Sequence, residues 1–176
     1  MYERAMGETF ALLPPAVRRF HLLTGRHVLH GWVETHAPAS TMARALAMCI
    51  GTPRRASSGP LRFELVADAD AESWTRHFPA RTMTSRMRLV AGHVEERLGL
   101  ARLTFNLIAA DGMLKMELTQ MRFLGVPCPR WLMPRIVAEE TGDDARFHFR
   151  VAAAVPLVGV VASYRGHLDL GAQKAS

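Results

Sequence analysis

The sequence has few of the residues on which several common kinds of site depend. It contains only two cysteines, Cys49 and Cys128, which are too few and too isolated for a disulfide framework or a zinc site. No apolar run approaches the roughly 20 residues that a membrane-spanning helix needs, and the first twenty residues lack the uninterrupted apolar core of a signal peptide. We therefore expect a cytoplasmic protein that is not inserted in a membrane and whose cysteines are reduced.

The sequence also lacks the short motifs that mark common cofactor and catalytic sites. It contains no HExxH pair, no Walker loop, no G-x-G-x-x-G fingerprint and no G-x-S-x-G elbow. These absences leave hydrolase, NTPase and dinucleotide-binding functions without support, and we expect neither a metal nor a cofactor. A single acid/base histidine among His30, His77 and His93 stays open, and the spacing does not choose between them.

Lysine is scarce, whereas arginine is abundant. Lys115 and Lys174 are the only lysines, although the net charge is +6. The arginines are spread along the chain without a nucleic-acid-binding motif, so dispersed and solvated side chains explain them better than nucleic-acid binding does. We therefore predict no nucleic-acid partner.

The residues that are present indicate one globular domain. The chain has 176 residues, of which 49% are hydrophobic and 22% are charged, an ordinary balance for a domain with a sizeable core. Helical spacing predicts a helix over residues 14–23, and Ser40 or Thr41 can cap a second helix over residues 41–50. We predict a single domain, 1–176, in which residues 170–176 form a disordered tail.

From Leu61 onward, apolar residues recur with a period of two, which is typical of half-buried antiparallel strands. Turn sequences around Asp111 and around Gly142 separate such segments. Residues 125–134 contain three prolines, so we expect a loop there with at most one helical turn. The fold class predicted is α+β, mainly antiparallel β, with about eight strands in a β-barrel or a curled sheet and two N-terminal helices.

Several motifs follow one another at distinctive spacings, namely LPPAVRRFH, ESWTRHF, EERLG, GVPCPRWLMP, ARFHFRV and VPLVGVVASYRGHL. Together they resemble the bacterial family called domain of unknown function 4166, from about Leu13 to Leu168. The resemblance implies a module that also occurs fused behind a Rossmann domain similar to saccharopine dehydrogenase, and it implies no activity. Cys128 and His167 stand where the family pattern has Leu and Trp, so they are poor candidates for a family-wide site.

The segment ESWTRHF, residues 72–78, puts charges where a strand would place apolar residues. As a strand it presents Glu72, Trp74, Arg76 and Phe78 on one face, with Glu72 and Arg76 about 13 Å apart. On a helix these two residues could pair directly. We favour the strand because of its aromatic and β-branched residues. Arg76 should then point inward and meet a carboxylate from elsewhere in the chain or from a ligand, since an unpaired buried charge is costly.

Other segments supply polar groups that could meet this face. The candidate ligand-binding residues are Glu72, Trp74, Arg76, Ser85, Glu96, Arg122, Tyr164 and Arg165. Within residues 114–123 the apolar phase slips near Thr119 and Gln120, which a β-bulge would explain. Without a bulge, Gln120 and Arg122 point inward. The same polar groups could instead form a structural ion-pair network that closes one end of the barrel.

Three functions are compatible with these patterns. The first is a small-molecule-binding module, in which a largely apolar, Met-rich interior takes a small apolar or amphipathic ligand that charged groups orient. The second is an isomerase- or cyclase-type enzyme that uses a Glu/Arg pair in the same pocket. The third is a structural accessory module that docks on a redox enzyme, as the fusions in similar proteins suggest, and a homodimer is a further option.

Overall fold

The fold is built mainly from antiparallel hairpins. A computed structural model describes residues 1–171. The strands are β1 (Gly25–Thr35), β2 (Ser57–Ala67), β3 (Ala71–Phe78), β4 (Arg81–Val90), β5 (His93–Leu98), β6 (Ala101–Ala110), β7 (Met113–Phe123), β8 (Val126–Pro127), β9 (Arg135–Gly142), β10 (Arg146–Val155) and β11 (Gly159–Asp169). The helices are α1 (Tyr2–Met6), α2 (Pro15–His21) and α3 (Thr41–Ile50), with 3₁₀ turns at Gly7–Leu12 and Arg130–Leu132.

Across residues 1–171, ten strands close into an up-and-down barrel, and the two-residue strand β8 pairs only with β7. The mainly antiparallel class is confirmed, whereas the count of about eight strands was too low. The short strands β5 and β9 carry adjacent glutamates, which interrupt the apolar alternation on which the count rested. Because β1 pairs with β11 and β6 pairs with β7, the sheet is closed and is not a half-barrel.

The predicted helices and turns are largely present. Helix α2 lies within the predicted span, and the hydroxyl of Ser40 caps α3 by accepting a hydrogen bond from the backbone N–H of Ala43 at 3.1 Å. Asp111 and Gly112 have φ values of 55° and 68°, as the two-residue turn of the β6–β7 hairpin requires. Helix α1 was not predicted. The predicted tail, residues 170–176, lies outside the described residues except for Leu170 and Gly171.

The barrel has two different ends. We call the end that residues 1–24 cover the base. The turns β2–β3, β4–β5, β6–β7 and β9–β10 also lie there. We call the opposite end the lid end, which is formed by α3 and by the connections β3–β4, β5–β6, β7–β9 and β10–β11. The backbone N–H of Leu100 donates to the carbonyl oxygen of Cys49, and the Nε of Arg81 donates to that of Gly51, so α3 is tied to two of these connections.

The core is densest at the base, where aromatic rings meet. Phe20 of α2 is stacked on Phe147 with ring centroids 4.1 Å apart, and it meets Phe63 and Trp74 edge to face. These side chains are buried, together with Tyr2 of α1. The N-terminal segment therefore closes the base with apolar side chains. Burial of their surface is the main source of folding free energy.

The predicted β-bulge is present at Thr119. The register pairs Thr104 with Gln120 but Phe105 with Leu118, so Thr119 is the extra residue. Its hydroxyl donates to the carbonyl oxygen of Thr104 at 3.0 Å. The bulge shifts the phase by one residue, and Met121 therefore returns to the interior.

Two glycines allow β1 and β11 to approach each other closely, and one of them also leaves room for a side chain of β10. A Cβ atom on Gly31 would overlap the carbonyl oxygen of His167, and one on Gly166 would overlap that of Trp32 and crowd the ring of Phe149. Only glycine fits the observed backbone spacing at these two positions.

Candidate functional site

A cavity of about 240 Å³ lies inside the barrel. Its walls are almost entirely apolar and extend from Trp74 in the aromatic core to Leu46 and Ile50 of α3. Met87, Met116 and Met121 are among the lining residues. The other polar or ionisable residues that line it are Thr52, Arg76, Glu96, Cys128, Glu139, Glu140 and Tyr164.

Arg76 is the cation of this cavity. It lies on β3, and the alternation that buries Trp74 and Phe78 also turns Arg76 inward, where only 7% of it is exposed. One guanidinium nitrogen donates to the hydroxyl oxygen of Ser85 at 3.1 Å. The guanidinium carbon lies 4.8 Å from the centroid of the Trp74 ring, within the range of a cation–π contact.

Arg76 has no ion-pair partner among residues 1–171, because no carboxylate of this range lies within 4.0 Å of its guanidinium. The hydrogen bond to Ser85 uses one of five N–H donors. The helical alternative for residues 72–78 is excluded, and with it a direct pair with Glu72. The expected carboxylate partner from the described chain is therefore missing, and the network of ion pairs around this residue is not formed.

Glu72 lies beside this site and faces the same side of β3. Its carboxylate accepts a hydrogen bond from the indole Nε1 of Trp74 at 2.8 Å. Burial raises the pKa of Glu72, and the nearby His21 and the Trp74 hydrogen bond only partly oppose this effect. The carboxyl group therefore retains its proton to a higher pH than an exposed glutamate does.

A buried pair of titratable groups joins the base to the cavity. Nε2 of His21 lies 2.6 Å from a carboxylate oxygen of Glu140, and Glu140 also lines the cavity. Tyr2 stacks on the His21 ring at a centroid distance of 3.6 Å and donates its hydroxyl to the sulfur of Met87. Burial and the carboxylate of Glu140 raise the pKa of Tyr2, so its hydroxyl stays protonated.

Sequence reasoning missed His21 and Glu140 as partners. Their interaction joins positions 119 apart in the chain, and no local pattern indicates it. The one local indication of a buried histidine was the position of His21, directly after Phe20 on the apolar face of a short helix. The three histidines that were considered lie on the outside, where His77 binds Glu64 and His93 binds Asn106, whereas His30 is exposed.

Glu96 and Tyr164 also face the cavity. Glu96 is half-buried and forms no ion pair within residues 1–171. Tyr164 is buried, and its ring meets that of Phe78 edge to face. Burial raises the pKa of Tyr164, although Arg76 lowers it in part, so this hydroxyl is a neutral hydrogen-bonding group.

Two of the predicted site residues lie outside the barrel. Arg122 is exposed and donates to the carbonyl oxygen of Gly125, because the bulge at Thr119 turns it outward. Arg165 is exposed and forms an ion pair with Glu34 at 2.8 Å. Assigning these two arginines to the pocket was wrong, since each lies on the outward phase of its strand. The structure gathers the other six at or beside the cavity, namely Glu72, Trp74, Arg76, Ser85, Glu96 and Tyr164.

The polar side chains that line the cavity are few and of both charges. Among residues 1–171 no cluster of three His, Cys, Asp or Glu side chains is placed to hold a metal. The polar groups at the cavity include the guanidinium of Arg76, the hydroxyl of Tyr164 and the carboxyl groups of three glutamates, set in an apolar wall. Cys128 also lines the cavity, and burial raises the pKa of its thiol, which disfavours the reactive thiolate.

No helix within residues 1–171 has the length and apolar character that crossing a bilayer requires. No curated protein matches the chain. The solved structure of Rv2717c from M. tuberculosis is similar with a TM-score of 0.46 and 10% identity, over 89% of this chain and 98% of that chain. The profile of the domain of unknown function DUF4166 matches residues 13–168, which is most of the sequence, and the chain therefore belongs to that family.

Proposed function

We propose that the barrel binds a small amphipathic anion, with the apolar part of the ligand among the methionines and its carboxylate against Arg76. The observation that supports this function is the state of Arg76, which is buried, lines the cavity and has no carboxylate within 4.0 Å among residues 1–171. A ligand carboxylate would supply the missing opposite charge. A guanidinium can hold it through two parallel hydrogen bonds.

Arg76 is the one cation among the cavity-lining residues of the described chain, so the cavity offers a place for only one anionic group. A buried cation is stabilised when an anion comes within hydrogen-bond distance, and its attraction strengthens in an apolar site. The hydroxyls of Ser85 and Tyr164 can orient the same group, since Ser85 already contacts Arg76. The carboxylates of Glu96 and Glu140 would repel a second anionic group. A monocarboxylate therefore fits better than a diacid or a phosphate.

The size of the cavity limits the ligand. At about 240 Å³ it lies below the range of roughly 300–1,000 Å³ that is usual for pockets of drug-sized molecules. The lining contains flexible methionines, which adapt to irregular apolar shapes. Medium-length aliphatic or small aromatic carboxylates are the class that we expect to bind.

The test is a calorimetric titration with ligands that share one apolar part and differ in charge. We expect wild type to bind decanoate at least tenfold more tightly than decanol or decylamine. Arg76→Met should lose this preference and bind decanoate no better than decanol. Arg86→Met, on the exposed face of the neighbouring strand β4, is the matched control and should behave like wild type. Equal binding of acid and alcohol by wild type, or an unchanged preference in Arg76→Met, would refute the proposal.

A second candidate is acid–base catalysis on the bound ligand. The hydrogen bond between His21 and Glu140 favours it, because the Glu140 carboxyl group of this pair lies on the cavity wall. It predicts that a bound 3-oxo acid exchanges its α-protons with D₂O faster than in buffer, as followed by NMR. Glu140→Gln should abolish the exchange while calorimetry still detects binding. An exchange rate equal to that in buffer with the wild-type protein would exclude this function.

A further inference from the structure

The barrel gathers at its lid end arginines that are far apart in the sequence. The lid end comprises α3 and the connections at this end, together with the two strand residues on either side of each connection. Within residues 1–171 it contains nine arginines, namely Arg44, Arg54, Arg55, Arg81, Arg97, Arg102, Arg122, Arg130 and Arg135. In the same region there is one carboxylate, Glu34, which is already bound to Arg165.

The base has the opposite charge. Counted in the same way, it contains nine carboxylates, namely Glu3, Glu8, Asp68, Asp70, Glu72, Asp111, Asp143, Asp144 and Asp169, and five arginines, namely Arg4, Arg18, Arg19, Arg26 and Arg146. The alternation of turns between the two ends produces this separation. The interpretation of the arginines as dispersed is therefore wrong in three dimensions, because it considered only their spacing along the chain.

Most of the lid-end arginines are available to a partner. Seven of the nine are exposed, and only Arg81 and Arg102 are half-buried. Of the nine, only Arg102 lies within 4.0 Å of a carboxylate of residues 1–171, that of Glu95. The other eight form no ion pair there, although Arg81 and Arg122 donate to backbone carbonyl oxygens. Their charges are therefore not neutralised within the described part of the chain.

Large apolar side chains are exposed among these arginines. They come from α3 and from three other lid-end connections, and they are Met42, Met48, Leu100, Leu124, Val126, Trp131 and Leu157. Trp131 is 69% exposed and Leu157 is 95% exposed. Apolar groups that protrude from several connections on one end of a molecule mark an interaction surface.

We propose that the lid end docks on the surface of an anionic lipid bilayer, where Trp131, Leu157 and their apolar neighbours enter the interface while the arginines contact lipid headgroups. Basic side chains interleaved with protruding Trp, Leu and Met are the combination that holds a protein at such a surface. The acidic base is repelled from the same surface, so the charge separation orients the barrel with its lid end toward the lipid.

The apolar side chains distinguish a bilayer from a nucleic acid. Six of the seven are aliphatic, and they would find no apolar layer to enter on a nucleic acid, which is bound mainly through its phosphates and stacked bases. A bilayer offers both an anionic layer and an apolar layer beneath it. The proposal does not depend on the ligand proposed for the cavity, because it concerns only the outer surface of the lid end.

The experiment is flotation with vesicles of phosphatidylcholine that contain 30% phosphatidylglycerol, beside vesicles of phosphatidylcholine alone. We expect binding to the anionic vesicles that is at least tenfold stronger than to the neutral ones and that weakens when salt is added. Arg54→Gln/Arg130→Gln and, separately, Trp131→Ala/Leu157→Ser should each reduce binding at least fivefold. All four side chains are exposed, so circular dichroism should show unchanged folding.

The matched control is Arg26→Gln/Arg86→Gln, which removes the same charge from exposed positions outside the lid end. It should bind anionic vesicles nearly as well as wild type does. An equal loss in both arginine pairs would show attraction by net charge alone and would overturn the proposal. No binding to vesicles, tighter binding to a DNA duplex, or self-association through the same residues in light scattering would also overturn it.

Discussion

The two ends of the barrel solve different physical problems with the same strands. At the base, Tyr2 and Phe20 fill the interior with aromatic contacts, and the His21–Glu140 pair is buried among them. At the lid end the interior is a cavity below α3, and the outer surface exposes Trp131 and Leu157. Stability is therefore concentrated at one end, and the features that fit binding are concentrated at the other.

This difference explains why the charged residues of β3 are tolerated. A cation such as Arg76 weakens a core unless it is paired. The aromatic cluster at the base supplies folding free energy within the same sheet. The barrel can therefore keep Arg76 at the cavity although this side chain is not needed for packing.

The largest effect should come from removing an aromatic ring at the base. We expect Phe20→Ala to lower the free energy of unfolding by about 3–5 kcal/mol, because it leaves a cavity beside Phe63, Trp74 and Phe147. Leu132→Ala, at the half-buried wall of the lid end, should cost about 1 kcal/mol or less. Urea unfolding of both variants measures the contrast, and similar losses would remove the distinction between the two ends.

Breaking the buried pair at the base should come next. His21→Leu leaves Glu140 without its partner, so we expect a loss of about 3 kcal/mol. Adding Glu140→Leu should recover most of this loss, since no polar group of the pair is then left unsatisfied. A double-mutant cycle from denaturant unfolding checks this. Additive losses would show that the two residues contribute independently.

Arg76 should behave in the opposite way to these base residues. We expect Arg76→Met to keep or raise the free energy of unfolding by about 1 kcal/mol, because an apolar side chain replaces a buried cation that has no carboxylate partner among residues 1–171 and bonds only to Ser85. Thermal unfolding without ligand measures the change. A loss of more than about 2 kcal/mol would indicate that the hydrogen bond to Ser85 and the Trp74 contact stabilise the fold.

The smallest effect should be the pH dependence that Glu72 contributes. Its pKa is raised by burial, so the folded state holds the proton more tightly than the unfolded state does. Stability from this group is complete below the ordinary pKa of about 4.3 and is lost as the pH rises through the raised value. Glu72→Gln should remove this decline in melting temperature, whereas Glu3→Gln, at an exposed site, should leave it unchanged. Identical pH profiles of Glu72→Gln and wild type would contradict the shift.

Patterns with a short range were readable in the sequence. The inward face of β3 follows from alternation, and the bulge at Thr119 follows from a slip of phase within one strand. Each depends on the two-residue period of a strand, which any window of a few residues displays.

Features that require closure of the barrel were not readable. The pairing of His21 with Glu140 depends on α2 folding across the base, and the cluster of lid-end arginines depends on which turns share an end. Arg122 shows where the local pattern stops. The alternation allowed it to point inward or outward, and the choice depended on whether the phase slip was a bulge. A local pattern gives the face of a strand, but only the closed sheet shows which faces meet.

The seam between β1 and β11 has a consequence for the order of folding. The other strand pairs of the barrel join neighbours along the chain, whereas Glu34 and Arg165 are brought together across 131 positions. Closing this seam carries the largest loop-closure entropy, so we expect the hairpins to form first and the cylinder to close late. Gly31 and Gly166 lie at this seam, and a side chain at either would obstruct closure. Substitutions there should therefore trap an open meander whose two free edges can pair with other chains.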